Sequence, residues 1–233
     1  TLYVPYFFSW DVFLTNLGML LARPVRYGRA LFSLITGNWK SPEFLIKNVA
    51  LFPKSVCIAR RLEKEGVQHI HAYWATYPAS VALTITYLTG IPYSFTGHAH
   101  DIYLDTTDLD NKISRAKFVS TCTRQNKNYL ATVAPKYPSE RILVNYHGLD
   151  LQKFSVNGKK RNDVFEILSV GTLQSHKGFN YLLEALTLLE KKGLSFHATI
   201  IGGGPLESEL RQQLKRLKLE SMVTMTGALK QSE

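Results

Sequence analysis

The stretch Ile91-Pro92-Tyr93-Ser94-Phe95-Thr96-Gly97-His98-Ala99-His100-Asp101-Ile102-Tyr103 turns from apolar to polar at its centre. Its first half is short, apolar and aromatic, which predicts a buried strand over residues 91–96. Two imidazoles and a carboxylate follow beside a glycine. Ligands bind at the carboxyl ends of strands in open α/β sheets, so His98, His100 and Asp101 are candidate site residues. The alternative is a polar loop whose histidines only cap neighbouring backbone groups.

The pattern on both sides of this stretch predicts a parallel sheet with helical crossovers, because strands and helices alternate. A polar segment at residues 155–163 interrupts the alternation, which then restarts. The sequence therefore predicts an α/β protein with two units. Strands are expected at 67–74, 91–96, 117–122, 141–146, 164–170, 196–201 and 222–226, with helices at 43–64, 78–88, 123–133 and 179–192 and a further one ending at 217.

The positive charge is concentrated near the start of the chain. The net charge is +10, and the first 64 residues carry nine basic against three acidic side chains. Within residues 6–36, Arg23, Arg26 and Arg29 alternate with apolar and aromatic residues. This pattern is typical of a helix at a membrane surface and also of a packing helix with a basic edge. It predicts an anionic partner. No nucleic-acid motif accompanies it, so nucleic acid is not expected as a partner.

Two His-x-His pairs, His69 with His71 and His98 with His100, raise the alternative of a metal-dependent hydrolase. Residues two apart on a strand share a face, so either pair would offer two nitrogens to zinc. No further ligand at suitable spacing completes a coordination sphere, and we expect no metal site. The only two cysteines lie far apart, which fits a reducing compartment and a cytoplasmic location.

Two glycine loops in the second half have phosphate-binding character. Gly171–Gly178 separates a predicted strand from a helix and contains Lys177, and Gly202-Gly203-Gly204-Pro205 repeats the design one crossover later. Helix N-terminal amides and a nearby cation favour anions. Together the loops would bracket a diphosphate. The alternative is that these glycines only form tight turns.

Four segments in order resemble motifs of the group 1 glycosyltransferases, the retaining GT-B family 4. They are Thr96-Gly97-His98-Ala99-His100-Asp101-Ile102-Tyr103, Asn145-Tyr146-His147-Gly148-Leu149-Asp150 with Phe154, Ser169–Gly178, and Ile200–Pro205 with Leu210. The resemblance runs from about Val67 to Gly227. The second segment has one extra residue before Gly148, and Thr172 stands where the family usually has arginine.

The resemblance implies two Rossmann-like domains of GT-B type. Residues 1–152 would form the acceptor-side domain without its first strand, 153–163 a linker, and 164–233 the first part of the nucleotide-sugar-binding domain. The family's Glu-x7-Glu element would lie beyond Glu233. We therefore expect the second domain to be truncated and these 233 residues alone to be inactive.

The resemblance also implies a hexosyl-type transferase that moves a sugar from a nucleotide-diphosphate donor to a lipid-linked or polysaccharide acceptor. It implies no metal or cofactor, with the nucleotide sugar as co-substrate, and a position at the inner face of the membrane. His98 and Asp101 would be catalytic. The donor-binding residues would be Gly148, Gly171, Thr172, Lys177, Gly178, Gly203 and Gly204. The alternative from another class is a basic module that binds anionic membranes or RNA without catalysis.

Overall fold

The computed structural model describes residues 9–148, 150 and 164–230. The chain divides into two compact units, residues 1–150 and 151–233. The linker predicted at 153–163 lies outside the described residues. Each unit has its own sheet and its own hydrophobic core, so each is described by itself.

Three helices open the first unit: α1 (Trp10–Ala22), α2 (Pro24–Asn38) and α3 (Pro42–Lys64). Helix α1 ends two residues before Pro24, because proline has no amide to continue α1 but fits the first turn of α2. Pro53 lies within α3, as the apolar spacing predicted. Val56 and Ala59 of α3 are fully buried against α2 and the next helix, α4 (Tyr77–Thr89).

The first sheet has four parallel strands in the order β1 (Ile70–Ala72), β2 (Tyr93–Gly97), β3 (Val119–Thr121) and β4 (Ile142–Val144). The crossovers are α4, then α5 (Ala99–Tyr103) with α6 (Leu109–Arg115), then α7 (Arg124–Val133). Because every pair is parallel, all four strands end at one edge of the sheet. That edge carries the loops that begin at residues 73, 98, 122 and 145.

The core of this sheet lies on the face covered by its crossover helices. Tyr93 and Phe95 of β2 are fully buried in it, and the hydroxyl of Tyr93 donates to the carbonyl of Lys112 at 2.5 Å. Ala79 and Ala82 let α4 approach the strands closely. Side chains alternate between the two faces of a strand, so the burial of Tyr93 and Phe95 on one face of β2 places its polar residues on the other face.

The second unit repeats the design with β5 (Phe165–Val170), β6 (Phe196–Ile201) and β7 (Val223–Gly227), all parallel. Its helices are α8 (Phe179–Lys191) and α9 (Glu207–Arg216). Leu183, Leu186 and Leu210 pack them onto the strands. The predicted α/β class with parallel sheets is confirmed.

Two sequence predictions need correction. The strand predicted over 67–74 covers only residues 70–72, so two aromatic residues lie in the loop beyond it. Helices α5 and α6 were not predicted, because five and seven residues are too few to show a helical period. Asp108 starts α6 with φ of 58°, a left-handed conformation that aspartate tolerates better than most residues.

Candidate functional site

The loop after β2 is held by a buried carboxylate. Asp101 lies in the first turn of α5, where its Oδ1 accepts the backbone N–H of His98 at 2.6 Å. Its Oδ2 accepts the backbone N–H of Ala75, in the loop after β1, at 2.5 Å. The residue is 1 % exposed. Asp101 thus joins two strand-end loops, and both of its oxygens are occupied by amides.

Sequence reasoning assigned Asp101 a catalytic function, and this geometry fits a positioning function instead. A general acid or base must reach the proton it transfers, and a carboxylate enclosed by two amides does not reach solvent. Asp101 is therefore built to hold the backbone on either side of His98.

His98 lies among aromatic rings at the carboxyl edge of the first sheet. Its ring centroid is 4.7 Å from that of Trp74 and 5.2 Å from that of Tyr73. It also stacks on His147, with centroids 5.9 Å apart and planes 5° from parallel. Its Nδ1 is buried and makes no hydrogen bond within the described residues. The sheet thus brings residues from the loops after β1, β2 and β4 together.

Tyr73 and Trp74 were missed as site residues because the sequence placed them inside a strand. Their side chains are 59 % and 43 % exposed, which is unusual for large rings beside a core. The sequence does contain one indication of this loop. An aromatic pair comes directly before Ala75-Thr76-Tyr77-Pro78, where the proline marks the start of a new helix. His147 lies next to the predicted donor-binding Gly148, and both are exposed.

A buried lysine hydrogen-bonds to backbone carbonyls near the same loops. Lys112 is fully buried, and its Nζ donates to the carbonyls of Thr107 at 2.9 Å and Thr76 at 3.4 Å. Burial lowers its pKa to about 8, although the carboxylates of Asp108 and Asp101 oppose that shift. The sequence could not reveal this residue, because most lysines are exposed.

The first histidine pair is engaged by hydroxyl groups. His69 Nε2 and His71 Nδ1 each lie 2.7 Å from the Oγ of Ser94, and His71 Nε2 lies 2.9 Å from the Oγ1 of Thr96. Partial burial, together with the nearby His69, lowers the pKa of His71. Of the second pair, His100 extends its Nδ1 to within 3.6 Å of Asp105. Within residues 9–148, 150 and 164–230, no three His, Cys, Asp or Glu side chains are grouped to hold a metal ion.

In the second unit the two glycine loops are joined by backbone hydrogen bonds. Leu173 N–H donates to the carbonyl of Gly203 at 3.1 Å, and Leu206 N–H donates to the carbonyl of Leu173 at 3.1 Å. A Cβ at Gly202 would lie 1.8 Å from the Gly171 carbonyl oxygen, and one at Gly204 would lie 2.6 Å from that of Leu173. These two glycines are therefore required by backbone contact between the loops.

The predicted donor-binding residues take different positions around these loops. Lys177 and Thr172 are exposed, and Lys177 makes no ion pair within the described residues. Gly178 is the N-cap of α8 with φ of 70°, and no side chain caps this helix end. A Cβ at Gly171 or Gly203 would meet only ordinary contacts.

The start of α8 thus has no side-chain cap. Its first turn has no acidic residue, and its N-cap residue has no side chain that could accept hydrogen bonds from the free amides. A cation in the preceding 3-10 turn, Lys177, adds positive charge there. Free amides, the helix dipole and an unpaired cation together attract a phosphate group.

Residues 151–233 match the family model described as glycosyl transferases group 1. Curated relatives agree over part of the chain. The putative colanic acid biosynthesis glycosyltransferase WcaL of Escherichia coli K12 is 36% identical over 91 residues, which is 39% of this chain and 22% of that protein. The amylovoran biosynthesis glycosyltransferase AmsK of Erwinia amylovora is 33% identical over 102 residues, 43% of this chain and 25% of that protein.

Solved structures share the fold over more of the chain. The lipopolysaccharide outer core galactosyltransferase WaaB superposes with a TM-score of 0.63 at 14% identity, covering 78% of this chain and 50% of that one. A glycosyltransferase from Rickettsia africae gives 0.58 at 20% identity, covering 78% and 52%. Among the described helices, none is long and apolar enough to cross a bilayer. The chain is therefore similar in its second unit to the group 1 glycosyltransferases, and it has the α/β fold of solved glycosyltransferases.

Proposed function

We propose that this chain belongs to a retaining glycosyltransferase that moves a hexosyl group from a nucleotide-diphosphate sugar to a carbohydrate acceptor in polysaccharide or lipid-linked sugar synthesis. The observation that carries the proposal is the open N-terminus of α8 with Lys177 beside it, next to two interlocked glycine loops. This segment lies inside the region that matches the group 1 family model.

The proposed donor contacts are those of a diphosphate site. Bare backbone at Gly203 and an exposed Thr172 leave room for phosphate oxygens, and Lys177 supplies the charge that a leaving diphosphate requires. Departure of a sugar from a diphosphate builds negative charge on the phosphate oxygens. Fixed cations and amides stabilise that charge without a metal ion or a cofactor.

The proposed acceptor contacts lie in the first unit. Sugar rings have an apolar face that packs on aromatic rings, and Tyr73 and Trp74 offer exposed rings at the carboxyl edge of the sheet. His98 lies between them and His147, where it would contact the transferred sugar as a catalytic residue. Asp101 would act through the backbone of His98 as a positioning residue. The cytoplasmic location stays a prediction.

The relatives' names support a polysaccharide product, since WcaL and AmsK are named for colanic acid and amylovoran biosynthesis. The hydrolase alternative is not favoured. His69 Nε2 and both ring nitrogens of His71 lie within hydrogen-bond distance of Ser94 or Thr96, and the matching family model is one of transferases. A basic module without catalysis is not favoured either, since it would not account for the interlocked glycine loops.

The test is calorimetric titration of the chain with uridine, guanosine and adenosine diphosphates. We expect at least one to bind, and Lys177→Ala to weaken that binding by about 1.5–3 kcal/mol, the range for hydrogen bonds to charged groups. Lys191→Ala is the matched control, because it removes the same charge at the other end of α8. The proposal is wrong if no diphosphate binds, or if both variants weaken binding equally.

A further inference from the structure

A cavity of about 700 Å³ lies beside helix α2 and along α6 in the first unit. Three cations line it: Arg29 and Lys40 from the α2 region, and Arg115 from the end of α6. Its lining includes none of the rings that contact His98. The proposed transferase chemistry therefore leaves this cavity unused.

The cavity cations are unpaired. Within the described part of the chain, Arg29 and Lys40 make no ion pair or hydrogen bond, and Arg115 only lies over the ring of Tyr87, 5.5 Å from its centroid. By contrast, Arg23 bonds Glu63 at 2.6 Å, and Arg26 bonds carbonyls at the end of α4. Of the three arginines that the sequence singled out, only Arg29 makes no ion pair or hydrogen bond among the described residues.

Two carboxylates also line the cavity without neutralising these cations. Asp108 accepts a hydrogen bond from Asn111 at 3.1 Å, and its carboxylate packs against the backbone of Gly37. Neither Asp108 nor Asp110 forms an ion pair with a cavity cation among the described residues. A smaller pocket of about 330 Å³ that shares Arg29 and Arg115 adds Arg26 to the same surface. Positive charge therefore predominates, and it favours an anionic ligand.

An apolar stripe runs along α2 beside the cations. Val25, Phe32 and Trp39 are spaced seven residues apart, so they lie on one side of the helix. They are 71 %, 69 % and 65 % exposed. Phe32 and Trp39 line the cavity together with Arg29 and Lys40, so the apolar stripe and the cations meet at its rim. Exposed aromatic rings next to basic side chains are typical of a helix that lies in a membrane interface.

We propose that this cavity binds the phosphate of an acidic phospholipid headgroup while Val25, Phe32 and Trp39 enter the lipid surface. Arg29, Lys40 and Arg115 contact the phosphate oxygens, which accept charge-assisted hydrogen bonds from such donors. The volume exceeds that of one phosphate and accommodates the glycerol that carries it. The site anchors the first unit on a membrane and is independent of the proposed transfer reaction.

The test is sedimentation of the full chain with vesicles of phosphatidylcholine alone and of equimolar phosphatidylcholine and phosphatidylglycerol. We expect binding only to the second kind. Arg29→Gln and Lys40→Gln are expected to weaken it about fivefold each, the effect of one cation near an anionic surface. Both side chains are exposed, so these variants should fold like the parent, as circular dichroism would verify. Trp39→Ala should also weaken vesicle binding.

The matched control is Lys136→Gln, which removes an exposed charge from the same unit outside the cavity. It should change binding less than about twofold, because surface charges away from the lipid contribute little. Equal losses for Lys136→Gln and Arg29→Gln would overturn the proposal, since charge alone would then explain binding. Equal binding to both vesicles would overturn it too.

Titration with soluble glycerol 1-phosphate distinguishes a lipid headgroup from a soluble phosphate ester. If it binds while vesicles do not, the ligand is a soluble phosphate ester and the lipid assignment is wrong.

Discussion

The carboxylate of Asp101 accepts the backbone N–H of His98, with 2.6 Å between nitrogen and Oδ1, and it is almost fully buried. Its other oxygen accepts Ala75 N–H from the loop that carries Tyr73 and Trp74. One side chain thus sets the spacing between His98 and the rings that surround it. The consequence is that the candidate site depends on a residue with no access to substrate.

We expect Asp101→Ala to lower the free energy of unfolding by about 3 kcal/mol, because it leaves the buried Ala75 amide and the partly buried His98 amide without acceptors. Asp101→Asn keeps one acceptor and should cost less. Urea denaturation followed by circular dichroism measures both. The control Asp105→Ala removes a carboxylate that lies 3.6 Å from His100 and affects Lys112 less than Asp108 and Asp101 do, so it should stay within about 0.5 kcal/mol. A similar loss for all three variants would contradict the assigned hydrogen bonds.

His98→Ala should reduce the rate of sugar transfer in the full-length protein by about 100-fold, the effect of removing one group that stabilises developing charge. Nucleoside diphosphate affinity should change less than about twofold, because the phosphate-binding loops belong to the other unit. Single-turnover kinetics and calorimetry separate the two quantities. Loss of nucleotide binding with an unchanged transfer rate would refute the division between His98 and Lys177.

Gly202→Ala should destabilise the second unit by more than about 2 kcal/mol. The new methyl group would lie 1.8 Å from the Gly171 carbonyl oxygen, and φ is 155°. Backbone on both sides leaves nothing flexible to move. Hydrogen exchange of the β6 amides measures the local stability. Gly203→Ala is the control, since its Cβ would meet only Ala228 at 3.6 Å. If the two variants exchange alike, the loops do not interlock as described.

Asp108→Asn should raise the free energy of unfolding at neutral pH by about 2 kcal/mol. Burial raises the pKa of Asp108 from 3.8 to about 6, although the Asn111 hydrogen bond and nearby Lys112 oppose that shift. Between pH 4 and 6 the folded chain then binds more protons than the unfolded chain. Stability therefore falls as pH rises through that window, and the variant removes this fall. Urea denaturation at pH 4, 5, 6 and 7 follows the difference between the two proteins. A constant difference would show that Asp108 does not titrate in this range.

Much of the fold follows from local sequence. Apolar runs predicted every strand, and the predicted ends mostly lie within two residues of those observed. Gly66 and Gly90 end helices in left-handed conformations that glycine adopts readily. The polar break near residue 155 indicated two units, and two are present. These features depend on neighbours along the chain, so the order of residues was enough to predict them.

The candidate site follows from local sequence only in part. His98 and Lys177 stood out because each follows a predicted strand and lies beside a glycine. Both residues could be identified as candidates from the sequence alone. The motif implied a catalytic function for Asp101, because sequence alone does not distinguish a carboxylate that contacts substrate from one that accepts two backbone amides.

Tertiary structure alone decided which side chains meet. Parallel pairing brings the ends of β1, β2 and β4 to one edge, so Trp74 and His147 lie against His98 although they are 24 and 49 residues from it in sequence. Packing of α4 and α6 buried Lys112, and it placed Arg29 of α2 and Arg115 at the end of α6 beside one cavity. Local patterns report the period of an element and the face it buries. Contacts between distant elements depend on the register and packing of the whole unit, and only the folded chain fixes those.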